Sequence, residues 1–169
     1  MGITIRPIMI AGNIASITLT KGRVAMIDAA DVPLVEGWNW TAQISGQNAY
    51  AIRGERRPNG GHGTIRLHRV IMGDCSGCEI DHINGNGLDN RRANLRVASH
   101  GENMRNRRIN TNNSSGYKGV CWCERSSQWL AQIRISGRRR HLGYFPTKEA
   151  AGEAYAKAAA ELHGDFVRR

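Results

Sequence analysis

A chain of 169 residues with 24 Lys and Arg against 14 Asp and Glu carries a formal charge of +10. Such a surplus favours a polyanionic partner, and 40% hydrophobic residues exclude a wholly disordered chain. No apolar run is long enough to span a bilayer, which leaves nucleic acid ahead of membrane as the partner.

Residues 1–63 alternate apolar and polar positions through SITLT, GRVAMID, WNWTAQI and AYAIRG, a β-rich N-terminal region. The apolar start contains Arg6, Pro7 and Asn13 and continues in alternation, so it reads as strands of the mature protein and not as a secretory signal. Lys21-Gly22 marks a hairpin turn, and DAADVPLVEG a short helix. Residues 64–108 open with IRLHRVIMG and become polar and Asn-rich. INTNNSS, residues 109–115, reads as a flexible linker. Residues 116–169 hold three strands, YKGVCWC, QWLAQIRI and RRHLGYF, then an alanine-rich helix from the N-cap Thr147 to a stop at Gly164. The fold class expected is α+β.

The segment EIDHINGNGLDNRRANLRVASHGENMRNRR asks for a chemical explanation. It folds on paper as strand, loop, strand and helix, the helix opened by a Ser99–Glu102 capping box. Asp81, His82, Asn94 and Asn103 are then expected to converge. Asp81 and Asn103 supply hard oxygen ligands for a Mg²⁺-like ion, with Mn²⁺ as the alternative. His82 is placed to act as general base on a water. Arg91, Arg92, Arg96, Arg105, Arg107 and Arg108 would hold a phosphate backbone. Metal and activated water together mean phosphodiester hydrolysis. Asn84, Asn86, Asp89 and Asn90 are assigned to turn geometry, and His68 to packing.

These residues resemble the ββα-metal core of HNH endonucleases, in the branch found among phage and intron-encoded homing enzymes. The resemblance implies one divalent cation on Asp81 and Asn103, His82 as base, and Asn94 as the middle signature residue that props the catalytic loop. Many HNH enzymes carry His at the third signature position, where this chain has Asn103.

The C-terminal module resembles the DNA-binding domain of plant APETALA-type, ethylene-response transcription factors through Tyr-Lys-Gly-Val, Trp-Leu-Ala-Gln-Ile-Arg and Leu-Gly-Tyr-Phe. That implies a three-stranded antiparallel sheet laid in the major groove and backed by a helix. Lys118, Arg125, Gln132, Arg134, Arg139, Arg140 and His141 are the expected DNA contacts. Cys121 and Cys123 stand where the plant domains carry base-reading arginines. With Cys75 and Cys78 they make a poor zinc pattern, and zinc is not expected there.

The function expected is a divalent-metal-dependent, site-directed DNA endonuclease on double-stranded DNA, with no membrane or small-molecule partner. It is expected to be a monomer, a dimer remaining open, acting in the cytoplasm of a bacterial or phage-infected cell with its thiols reduced. The competing reading is a non-catalytic, sequence-specific DNA-binding regulator on an HNH-derived scaffold. An RNA-binding protein fits the charge but lacks the aromatic stacking platform.

Overall fold

The computed structural model describes residues 5–73, 75, 77–106, 109, 112–135 and 137–163. The chain divides into two units, Met1–Asn103 and Met104–Arg169. The elements are strands and short helices in separate regions, an α+β architecture.

The first unit begins with an antiparallel meander of β1 (Ile8–Ala11), β2 (Ile14–Thr18) and β3 (Val24–Asp28). Period-two alternation turns Ala15, Ile17, Ala25 and Ile27 to one buried face. Between β2 and β3, Lys21 and Gly22 both take φ near +60°, the left-handed turn that the Lys-Gly pair led one to expect. A 3-10 turn, Ala29–Asp31, and α1 (Val32–Val35) follow, with Pro33 in the first turn, where no amide hydrogen is needed. A second meander holds β4 (Thr41–Ser45), β5 (Asn48–Arg56) and β6 (His62–Arg66), and β6 runs into α2 (Leu67–Met72). β7 (Glu79–His82) and β8 (Leu95–Ala98) form an antiparallel ribbon that leads into α3 (His100–Asn106).

One hydrophobic core joins these parts. It takes Ala15, Ile17 and Ile27 from the first sheet, Ala42 and Ala51 from the second, Leu67 and Ile71 from α2, and Ile80 and Leu95 from the ribbon. Trp40 is buried within it, its indole N–H donating to Val35 O at 3.0 Å. Residues 1–63, the β-rich N-terminal region, thus share one core with α2 and the ribbon that follow them.

In the second unit β9 (Val120–Cys123), β10 (Gln128–Ile135) and β11 (Arg138–Phe145) form an antiparallel sheet in the order β11-β10-β9. α4 (Lys148–His163) packs on one face, with Thr147 Oγ1 accepting from the Ala150 amide at 3.2 Å. The expected stop at Gly164 lies outside the described residues. Val120, Ala131 and Ala151 are buried there among Tyr117, Trp129, Phe145 and Tyr155. Small residues let the helix come close. At Gly119, which has φ +67°, a Cβ would stand 2.3 Å from Gln132 O and 2.4 Å from the Tyr155 ring.

The segment read as a linker is in part built into this unit. Ser115 is 2% exposed, and its hydroxyl donates to Val120 O at 2.9 Å and accepts from the Tyr117 amide. Asn113 bonds Tyr117 O and the Gly116 amide. Composition alone marked these residues as a tether because Asn and Ser bury no apolar surface; here their side chains satisfy backbone groups of the turn. No helix among the described residues is long and apolar enough to cross a membrane.

Candidate active site

Strand alternation divides β7 into two faces. Glu79 and Asp81 point to one side, Ile80 and His82 to the other. Asp81 and His82 thus leave the strand on opposite faces, Asn103 lying on the Asp81 side and the loop that Asn94 closes on the His82 side. Neighbours on a strand look in opposite directions, and a phosphate could meet both only at the end of the strand.

On the first face Asp81, 4% exposed, is opposite Arg96. Arg96 Nε and Nη2 both reach Asp81 Oδ2, at 2.9 and 2.8 Å. Beside this pair, Asn103 Nδ2 donates to Glu79 Oε2, and His100 Nδ1 lies 2.6 Å from Glu79 Oε1. The Asn103 amide, then His100, hold the Glu79 carboxyl below its ordinary value. α3 starts where the sequence says it should: Ser99 N donates to Glu102 Oε2 at 2.7 Å, and Glu102 N to Ser99 Oγ at 3.3 Å. That cap fixes the first turn, and so the height at which Asn103 meets the ribbon.

The oxygen-rich face suits a hard cation. Asp81 and Glu79 are carboxylates two residues apart on one strand, and Asn103 joins them from the helix. The Arg96 guanidinium already stands against Asp81, which shows that this carboxylate accepts a positive charge at close range. Among the described residues no group of three His, Cys, Asp or Glu side chains forms a ready metal site, so an ion held by Asp81 and Glu79 would need a further ligand of another kind, such as the Asn103 carboxamide. The four cysteines are free thiols.

On the other face His82 is 5% exposed, with Nε2 3.3 Å from Asn90 Oδ1. Its ring meets the edge of His68, centroids 5.0 Å apart, and Tyr50 closes the group at 6.0 Å from His82 and 6.1 Å from His68. Burial pushes the His82 pKa below the ordinary histidine value, against the pull of Asn90, Asp81 and Asp89. The contact suits an imidazole that keeps its proton on Nε2 and donates it to Asn90 Oδ1. Asn90 is 0% exposed, and its Nδ2 has no partner.

His68 is driven to about 3, by burial first, then by His82, Arg66 and Arg69. A folded value below the ordinary 6.5 means the unfolded chain binds the proton more tightly. Its contribution to stability is therefore complete above pH 6.5 and is lost as the pH falls toward 3. Urea unfolding of the wild type should weaken between pH 7 and pH 4.5, and His68→Gln should weaken less over the same range. Parallel curves for the two proteins would remove His68 from the account.

The loop between the strands hangs on long-range bonds. Asn94 Oδ1 accepts from the Asn84 amide at 2.9 Å, while its Nδ2 donates to Asp89 O at 2.7 Å. Asp89, 1% exposed, receives Arg91 through Nε and Nη2 at 2.7 Å each, and Asn84 Nδ2 at 2.9 Å. β3 grips the loop from outside, Met26 N donating to Leu88 O and Asn90 N to Met26 O. Asn48 ties it to the second sheet through Gly85 O and the Gly87 amide. Gly87 must be glycine there, since a Cβ would meet Ala49 O at 2.4 Å. Asn84 and Asn86 do serve turn geometry. Asp89 and Asn90 do more, and assigning them to the turn alone is corrected.

The expected phosphate-gripping arginines are largely engaged within the protein. Arg91 is forked on Asp89. Arg92 is forked on Asp31 at 2.8 Å, with its amide on Asp28. Arg96 is on Asp81. Arg105 is half-buried with its Nε shielded, and Arg107 and Arg108 lie outside the described residues. Composition showed the arginines but not the buried carboxylates that hold them. In the second unit Gln132 pairs with His141 and Arg134 with Arg139, so these four share the face away from α4. Arg125 is exposed in the turn before β10. Arg140, exposed, pairs with the buried Ile133 and so lies on the helix side of the sheet, away from Gln132 and Arg134. Lys118 is half-buried, donating to Arg105 O at 2.8 Å.

Residues 66–105 match the HNH endonuclease family. Protein 3.8 of Escherichia phage T7 is 34% identical over 92 residues, covering 54% of this chain and 75% of that protein. An uncharacterized HNH endonuclease of Acanthamoeba polyphaga mimivirus is 29% identical over 153 residues, 87% of this chain and 74% of the viral protein. An ethylene-responsive transcription factor of Medicago truncatula is 34% identical over 83 residues, 48% of this chain but 31% of the plant protein. No solved structure matches. The family match spans α2, β7, the loop, β8 and α3, so residues 66–105 form an HNH-type domain, and the chain is related to the T7 protein over three-quarters of that protein's length.

Proposed function

We propose that this protein is a divalent-metal-dependent DNA endonuclease whose ββα-metal core is the β7–β8 ribbon with α3. The observation that carries the reading is the pairing, at consecutive positions, of a buried neutral imidazole and a carboxylate on opposite faces of one strand. His82 Nδ1 takes a proton from a water while Nε2–H stays on Asn90, which keeps the ring from turning. The water oxygen forms the new bond to phosphorus, and the bond from phosphorus to the leaving oxygen breaks. Asp81 and Asn103, with Glu79 beside them, would hold the cation, which when bound supplies charge for the developing phosphorane oxygens. Hard oxygens favour Mg²⁺ or Mn²⁺ over zinc. Asn94 keeps the loop closed, so that Asn90 stays under the imidazole.

The second unit is proposed to select the site as an APETALA-type reader, its free sheet face carrying Gln132, Arg134, Arg139 and His141 to base edges and phosphates. Cys121 pairs with Leu130 on that same face, which leaves β9 without an arginine for guanine. One active centre per chain predicts a nick, unless two chains act together.

Supercoiled plasmid with Mg²⁺ or Mn²⁺ tests the reading. Nicked product that disappears with chelator, and with His82→Ala, is the expected result. No metal-dependent cutting by wild type on a plasmid library carrying its bound sequences would favour the regulator instead.

A further inference from the structure

The geometry points to a second DNA contact: the outer face of the β4–β6 sheet, with Arg69 of α2, takes backbone phosphates of the duplex being cut. This rests on the endonuclease reading and adds to it a substrate-binding surface in the first unit.

Register fixes which residues share that face. Gln43 pairs with Tyr50, Ile52 with Arg66, Gly54 with Thr64, and Arg56 with His62. The opposite face buries Ala42 and Ala51 in the core. These strands contain one carboxylate, Glu55, and its pairing with Gly63 puts it on the other face. The outer face therefore carries Arg56 and Arg66, both exposed, and no acid to neutralise them. Where the sheet meets α2 a cleft of about 640 Å³ opens, lined by Gln43, Thr64, Arg66 and Arg69 and again by no carboxylate.

Position argues for DNA over any other polyanion. The Arg66 guanidinium lies 5.6 Å from the Tyr50 ring centre, and that ring is 6.0 Å from His82. Arg66 and Arg69 both act on the charge of His68, whose ring touches His82. The cationic face thus begins two ring contacts from the proposed base. With a rise of about 3.4 Å per nucleotide along one strand, phosphates a few nucleotides from the scissile one come into its reach. The arginines beside His82 in sequence are held by Asp89, Asp31 and Asp81, so this face supplies cations that the ribbon does not.

The test is DNA affinity of the full chain across a salt series, with chelator present so that no strand is cut. Arg56→Ala/Arg66→Ala/Arg69→Ala should make the slope of log affinity against log salt shallower by about two to three, since each lost phosphate contact removes roughly 0.9. Lysine at the same three positions should restore the slope. Thermal melting should stay close to wild type in both variants, because all three side chains are exposed and the bond that Arg69 donates to Cys78 O, at 3.3 Å, is exposed as well. A wild-type slope that the alanine variant keeps overturns this inference alone. A wild type whose binding does not respond to salt overturns it together with the endonuclease reading.

Discussion

His82→Ala is expected to slow strand cleavage by about 10²–10⁴-fold, the usual contribution of a positioned general base, while DNA affinity stays within error of wild type. The imidazole is buried, its pKa is held below the ordinary value by that burial, and its Nε2 lies 3.3 Å from Asn90 Oδ1, which holds the ring in place. Affinity should survive because the cations proposed to touch DNA lie elsewhere. Alanine also empties the space beside His68 and Tyr50, so His82→Gln serves as the size-matched control. Both variants should be slow. Single-turnover rates on a nicking substrate, with affinity measured in parallel, separate the outcomes. Equal rates for wild type and His82→Gln would show that the base had been misassigned.

Asp89→Ala is expected to cost about 2–4 kcal/mol of stability, the range for breaking a buried, charge-assisted hydrogen-bond set. Asp89 anchors Arg91 and Asn84, and burial makes it the hub of the loop. The Arg91 side chain is 37% exposed and can turn to water, which keeps the loss below that of a fully buried pair. The Arg91 fork holds the Asp89 carboxyl below the usual range, so its contribution is present at neutral pH and fades in acid. Urea unfolding at pH 7 measures the loss, and cleavage should fall as well because Asn90 follows Asp89. A variant as stable as wild type would mean that the loop is held chiefly by Asn94 and β3.

What could be read from the sequence was local. The Ser99–Glu102 box, the Lys21-Gly22 turn, Thr147 and its alanine-rich helix, and the period-two strands all act within a few residues, and each is found in the fold. The site was legible only as a set of residue types. Its arrangement depends on bonds between distant positions, such as Arg92 to Asp31 and Asn48 to Gly85, which no short pattern announces. Three arginines therefore read as phosphate grips and prove to be ion-paired within the chain. His68 and Asn90 read as packing and turn residues and prove to surround the imidazole. Glu79 was passed over although strand alternation places it beside Asp81; that signal was present.

In the proposed centre the cation and the base occupy separate sides of one strand. Mn²⁺ titrated into the protein–DNA complex and followed by its paramagnetic resonance separates the two roles. One bound ion per chain is expected in wild type and in His82→Ala, and none in Asp81→Ala. Undiminished Mn²⁺ binding in Asp81→Ala, or its loss in His82→Ala, would contradict this arrangement.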